Sequence, residues 1–147
     1  MSSQVNPLVG TWRILTFEMR AADGQVALRP LGERPTGYLL YSAEGYMSAA
    51  VSAPERTAWS VPDQLLAPEE ERAAAISGLM AYSGRYEVVD GAVIHYPEAA
   101  HMPNMVGAPQ RRFFVIDGDR MTLTSPPFRA GGQPVTVSAT WERVVPS

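Results

Sequence analysis

The segment Arg111-Arg-Phe-Phe-Val-Ile-Asp-Gly-Asp-Arg-Met-Thr-Leu-Thr-Ser125 contains two strand-length runs on either side of Asp117-Gly118. An acidic residue followed by glycine suits a tight hairpin turn, because glycine accepts the positive φ that such turns require. In the second run, polar and apolar residues alternate over residues 120–124, which is typical of a strand with one packed and one solvated face. The segment therefore predicts an antiparallel β-hairpin.

The same signals recur along the chain. Further turns are predicted at Asp23-Gly24, Glu44-Gly45, Asp90-Gly91 and Gly131-Gly132. Working outward from these turns predicts eight or nine strands in meander order, near residues 8–20, 25–28, 37–41, 46–51, 84–89, 92–96, 111–116, 120–125 and 135–144. An all-β antiparallel domain is expected.

One segment, residues 68–82, predicts a helix instead. It starts with Pro68, carries acidic residues in its first turn, and has apolar residues at Ala73, Ile76, Leu79 and Met80. Such an apolar stripe has to cover something, so we expect the helix near the mouth of the β-structure or on its outer wall. The long connections 52–67 and 97–110 are expected to form the rim.

Composition limits the function classes. The 147 residues fit one domain, 1–147, and 46% hydrophobic against 18% charged residues supports a packed core. A net charge of -3 with scattered arginines makes nucleic acid a poor partner. No stretch of about 18 apolar residues and no secretion signal is visible, so we expect no membrane partner and a cytoplasmic location.

Several kinds of catalytic and cross-linking chemistry are excluded because the sequence lacks the residues that they require. The chain has no cysteine and no lysine, which excludes disulfides, thiolate catalysis and Schiff-base catalysis, and it has no phosphate-binding loop. His95, Glu98 and His101 would have to converge to bind a metal, and Pro97 interrupts the strand between them. We expect neither a metal nor a cofactor.

Composition does not distinguish a β-barrel from a β-sandwich, but a resemblance to a known family favours the barrel. Gly10-Thr11-Trp12 and Trp141-Glu142-Arg143 resemble the Gly-x-Trp motif and terminal arginine of lipocalin-type barrels, in which the indole and the guanidinium stack at the barrel floor. Six further blocks, in order, resemble a bacterial lipocalin-like domain family: 35–41, 44–48, 82–87, 103–107, 110–113 and 119–123. One departure is Met105, where the family pattern has Trp.

The resemblance implies an up-and-down lipocalin-like β-barrel of eight to nine strands with Trp12 and Arg143 at its floor. Barrels of this kind bind lipophiles or catalyse isomerisation and cyclisation of natural products. The first hypothesis is therefore binding of a small, largely apolar molecule inside the barrel, in a secondary-metabolism setting. The alternatives are a cofactor-independent isomerase or cyclase acting on a polyketide-like substrate, and a filled barrel used for protein contacts. A homodimer is compatible with the sequence.

Two residues are candidate proton-transfer groups. His95 has an ordinary pKa near neutrality, and it points into the barrel if it shares the inner face with Val93. Glu18 shares a strand face with Trp12 if that strand alternates without interruption. A buried Glu18 needs a partner such as Arg85 or Arg112, or stays protonated, and the alternative is an ordinary surface charge.

Ligand-binding candidates are aromatic, flexible or cationic residues of the central and later strands. Such side chains suit a pocket for an apolar molecule with few polar groups, although packing or surface roles are the alternative for each of them. They are Tyr38, Tyr46, Met47, Tyr86, Arg112 and Phe114.

Overall fold

The computed structural model describes residues 6–145. Their strands are β1 (Gly10–Ala21), β2 (Val26–Leu28), β3 (Thr36–Tyr41), β4 (Tyr46–Ser52), β5 (Leu79–Val89), β6 (Ala92–Ala100), β7 (Gln110–Asp117), β8 (Arg120–Thr124), β9 (Phe128–Ala130) and β10 (Gln133–Arg143). The helix α1 spans Glu69–Ser77, and short 3₁₀ helices span Gln64–Leu66 and Pro103–Met105. In the described chain, no helix has the length and apolar character needed to cross a membrane.

Eight of the strands form a closed antiparallel barrel in the order β1-β3-β4-β5-β6-β7-β8-β10. The barrel closes because β10 pairs back with β1, from Trp12 opposite Arg143 to Ala21 opposite Val135. The short strands β2 and β9 extend the sheet beside β1 and β10. The predicted all-β barrel is therefore confirmed, and closure leaves no exposed strand edge around the ring.

The helix is shorter than predicted. It ends at Ser77, Gly78 follows, and Leu79 already belongs to β5. The proposed apolar stripe does not exist as such, because Ile76 is exposed and the helix has no buried residue, while Met80 lies in a strand. The helix does connect the ends of β4 and β5, which places it at the barrel mouth as expected.

Strands β5 and β6 are longer than predicted and pair through a bulge. Their register shifts between Ser83 and Gly84, where the β6 backbone comes very close to β5. A Cβ atom built on Gly84 would lie 1.9 Å from the carbonyl oxygen of Tyr96. Glycine at this position is therefore a steric requirement of the sheet.

Strand β1 also contains a bulge, and this one decides which side chains enter the barrel. Ile14 pairs with Trp141 and Thr16 with Thr140, so Leu15 has no opposite residue. Trp12 and Ile14 point inward before the bulge, but Phe17 packs against the core after it. One extra residue reverses the alternation in the upper half of the strand.

The floor of the barrel is closed by Trp12 and Arg143. The guanidinium carbon of Arg143 lies 4.2 Å from the centroid of the Trp12 ring, and Trp12 Nε1 donates to the carbonyl of Leu8 at 2.9 Å. Arg143 also donates to the carbonyls of Val9 at 2.9 Å and Pro7 at 2.7 Å. This is the stack that the resemblance implies, and it ties the segment before β1 to the last strand.

Candidate functional site

A small cavity of about 70 Å³ lies inside the barrel, above the packed floor. Its lining is mostly apolar and comes from strands all around the ring. The lining residues are Phe17, Leu39, Ala49, Met80, Tyr82, His95, Met105, Arg112, Leu123, Val137, Ala139 and Trp141. The interior is thus not completely filled, and its polar side chains are few.

His95 is the central polar group of the cavity wall. Val93 and His95 share the inner face of β6, with exposures of 0% and 1%, so the condition set for an inward imidazole is met. Tyr41 Oη lies 2.6 Å from Nε2 of His95, and Tyr82 Oη lies 2.6 Å from Nδ1. The imidazole is therefore held between two tyrosine hydroxyls, one on each ring nitrogen.

The hydrogens of Tyr41, His95 and Tyr82, which we call the triad, decide which hydrogen bonds it can make to a ligand. A neutral imidazole has one N–H and one lone pair, so it accepts from one tyrosine and donates to the other. The hydroxyl that accepts from the ring keeps its own hydrogen for a further partner. Tyr82 lines the cavity and Tyr41 does not, so donation from Tyr41 to Nε2 and from Nδ1–H to Tyr82 leaves the one spare hydroxyl hydrogen on the residue that borders the open space. In this arrangement the Tyr82 hydroxyl has a hydrogen to donate to a ligand.

The triad is uncharged near neutral pH. Burial, with a smaller contribution from the nearby Arg112 charge, lowers the pKa of His95 to about 3. Burial also raises the pKa of the Tyr82 hydroxyl and raises that of Tyr41 well above its usual range. His95 is consequently a weak base, whereas the Tyr82 hydroxyl stays protonated and keeps its hydrogen.

Two further residues that carry hydrogen-bond donors line the same space, Arg112 and Trp141. Arg112 lies on the inner face of β7, and among the described residues it has no carboxylate within ion-pair distance. Its guanidinium donates to the carbonyl of Arg111 at 2.8 Å and to Gln110 Oε1 at 3.4 Å. Trp141 is 2% exposed, and its Nε1 has no hydrogen-bond partner in the described chain.

The predicted ligand-binding residues fall into three groups. Arg112 lines the cavity. Three others face inward but pack into the core outside the cavity lining: Met47, Tyr86 and Phe114. The Tyr86 hydroxyl is occupied near the floor, where it accepts from Asn6 Nδ2 at 2.9 Å and donates to the Ser42 carbonyl at 2.7 Å.

Tyr38 and Tyr46 lie outside the barrel, which corrects the expectation that they line the pocket. They are 45% and 54% exposed, and Tyr38 stacks under the Arg13 guanidinium at 5.9 Å. Their positions in β3 and β4 alternate with the buried Leu39 and Met47, so a strand's two-residue period sends them to the solvent face.

Glu18 is also outside the cavity, and its predicted inward orientation is wrong. The β1 bulge places it opposite Ser138 on the outer face, where it forms ion pairs with Arg20 at 2.8 Å and Arg29 at 3.1 Å. Neither partner is the arginine expected for a buried carboxylate. A general acid or base role for Glu18 inside the barrel is thereby ruled out in this geometry.

Three residues of the site are absent from the predicted catalytic and ligand-binding sets: Tyr41, Tyr82 and Trp141. Tyr82 was assigned to the end of the helix, which concealed its inward position in β5. Trp141 entered the sequence analysis only through the Trp141-Glu142-Arg143 resemblance, and nothing local indicates that its indole N–H lacks a partner. Within residues 6–145 no group of three His, Asp or Glu side chains is placed to hold a metal ion.

Comparison with known proteins gives the family. The family model for the lipocalin-like domain matches residues 9–144, so the chain belongs to that family. It is similar to the 4'-hydroxy-3'-methoxypropiophenone carrier protein ppsC of Aspergillus oryzae, with 36% identity over 87 aligned residues. The match covers 54% of this chain and 78% of that protein.

Proposed function

We propose that this lipocalin-like domain binds one small, largely apolar, oxygen-bearing molecule in its barrel cavity. The observation that carries the proposal is the cavity itself, which is apolar except for a cluster formed by Tyr82, His95 and Arg112. An apolar pocket with a few convergent polar groups is the usual design of a small-molecule site. The apolar wall supplies affinity, and the polar cluster orients the ligand.

The named ligand of the similar carrier protein supports an aromatic ketone as the ligand class. 4'-Hydroxy-3'-methoxypropiophenone combines a flat ring with a carbonyl, a phenol and a methoxy oxygen. Such a molecule matches an apolar cavity whose lining includes a few hydrogen-bond donors. We extend this class to the present chain, together with a role as a carrier in secondary metabolism.

Ligand entry requires the cavity to expand. Its volume of about 70 Å³ suffices for several water molecules, whereas benzene occupies engineered cavities of about 150 Å³. Met80 and Met105 both line the space, and methionine side chains adapt their shape at low energetic cost. Rotation of these two side chains toward the mouth is the expected route to a larger pocket.

The binding test uses two adjacent residues of β4 that face opposite sides. Ala49 is 4% exposed and lines the cavity, and Ala50 lies on the outer face. Titration with 4'-hydroxy-3'-methoxypropiophenone, followed by tryptophan fluorescence and calorimetry, should give saturable 1:1 binding. Ala49→Phe should weaken that binding at least about tenfold, which is about 1.4 kcal/mol, while Ala50→Phe should not change it.

Folding is monitored in parallel by circular dichroism and thermal unfolding. If Ala49→Phe does not fold, Ala49→Val provides a smaller obstruction at the same position. Saturable binding that is equally strong in the wild type, both Ala49 variants and Ala50→Phe would place the ligand outside the barrel and refute the proposal.

A cofactor-independent isomerase or cyclase is the second candidate. One observation favours it: Tyr82, whose hydroxyl is hydrogen-bonded to His95, lines the cavity and carries a proton that a substrate carbonyl can accept. The low pKa of His95, about 3, argues against the imidazole as general base, so binding remains the first proposal. Turnover lost in His95→Ala and kept in His101→Ala would support the enzyme; no loss in either variant would contradict it.

A further inference from the structure

We infer that the oxygen of the ligand that docks in the cavity is an anion, such as a phenolate, an enolate or a carboxylate, carried on an apolar body. The inference rests on the proposed function and specifies its ligand class. The groups that would donate hydrogen bonds to this oxygen are Tyr82 Oη, the guanidinium of Arg112 and Trp141 Nε1.

The lining of the cavity has free hydrogen-bond donors but few free acceptors. No lining residue carries a carboxylate or an amide, and both ring nitrogens of His95 are already engaged by tyrosines. With the tautomer assigned above, the hydrogen of Tyr82, N–H groups of Arg112 and the N–H of Trp141 remain free. These free donors require a ligand that presents acceptors.

The buried indole N–H of Trp141, which has no hydrogen-bond partner among the described residues, is independent support for a ligand in the cavity. A buried N–H without a partner costs about 1–3 kcal/mol, and native interiors contain few such groups. Trp141 lines the cavity, so an acceptor oxygen in that space is the simplest partner for it.

Charge then selects the anion. Arg112 is the single charged residue of the cavity lining, and no carboxylate among residues 6–145 pairs with it. The other titratable groups that face this space are His95 and Tyr82 in the wall and Tyr41 behind them, and all three are neutral near pH 7. Arg112 is half-buried at the edge of the cavity, and a guanidinium there without a counterion favours a negatively charged ligand oxygen, since charge-assisted hydrogen bonds are the stronger kind.

The test compares two forms of one chromophore. 4'-Hydroxy-3'-methoxypropiophenone ionises at its phenol, and 3',4'-dimethoxypropiophenone cannot. Affinities of both are measured below and above the phenol pKa of the free ligand, and the ionisation of the bound ligand is followed by its absorbance. We expect the phenolate to bind at least about tenfold more tightly than the phenol, which corresponds to a bound-ligand pKa lowered by about one unit. The dimethoxy compound should show no pH dependence.

Neighbouring arginines supply the matched control. Arg112→Gln should abolish the preference for the phenolate, Arg112→Lys should retain part of it, and Arg111→Gln should leave it intact because Arg111 is exposed on the outer face. Equal affinity for phenol and phenolate, with binding still weakened by Ala49→Phe, would overturn the anion and leave the proposed function standing. Absence of saturable binding for both compounds at every pH would overturn both.

Discussion

Replacing His95 by glutamine should remove a specific part of the acid sensitivity of this protein. Glutamine offers one donor and one acceptor, as the neutral imidazole does toward Tyr41 and Tyr82, but it does not titrate. The variant therefore isolates the protonation of His95 from its hydrogen bonding.

The magnitude follows from linkage. The pKa of His95 is about 3 in the folded chain against 6.5 for an ordinary histidine, so below about pH 6.5 the unfolded chain binds a proton that the folded chain does not. The free energy of unfolding then falls as pH falls, by up to about 1.4 kcal/mol per pH unit, until the folded-state pKa is reached. Between pH 7 and pH 5 this one residue should remove about 2 kcal/mol of stability, a sizeable share of a typical 5–15 kcal/mol.

Urea unfolding at several pH values between 7 and 5 measures the effect. The carboxylates contribute equally to wild type and variant, so the difference between the two slopes belongs to His95. His101→Gln serves as the control, and it should keep the acid sensitivity of the wild type. If wild type and His95→Gln lose the same free energy over this range, His95 is not held neutral by burial and the account of the triad fails.

Two structural predictions concern the barrel frame. Arg143→Met should lower the free energy of unfolding by roughly 1–3 kcal/mol, because it removes the stack on Trp12 and two hydrogen bonds to backbone carbonyls. Arg120→Met is the control and should have little effect, since the ion pair of Arg120 is exposed. Gly84→Ala should destabilise by roughly 2 kcal/mol or more, because its Cβ would meet a β6 carbonyl oxygen at 1.9 Å; Gly78→Ala, with 3.6 Å to its nearest neighbour, should be tolerated. Thermal and denaturant unfolding check both pairs, and an unchanged midpoint for Arg143→Met or Gly84→Ala would contradict the assigned role.

Local sequence determined most of the fold. Acidic-Gly turns and two-residue alternation are local signals, and they predicted the meander of strands and the two faces of β8. The closed barrel was implied by the resemblance of the Trp12 and Arg143 motifs to lipocalin-type barrels, and the structure pairs the first strand with the last and stacks the two side chains.

The site depended on tertiary structure, because long-range pairing decides which face of a strand is buried. The bulge at Leu15 turns Phe17 inward and Glu18 outward, and it is visible only in the pairing of β1 with β10. The pairing of β5 with β4 extends that strand through Tyr82 where the helical pattern had placed a helix, and this brings Tyr82 to His95. The volume of the cavity and the lack of a partner for the Trp141 indole both depend on side chains from strands all around the barrel. No local pattern encodes either property, because each depends on how distant strands pack together.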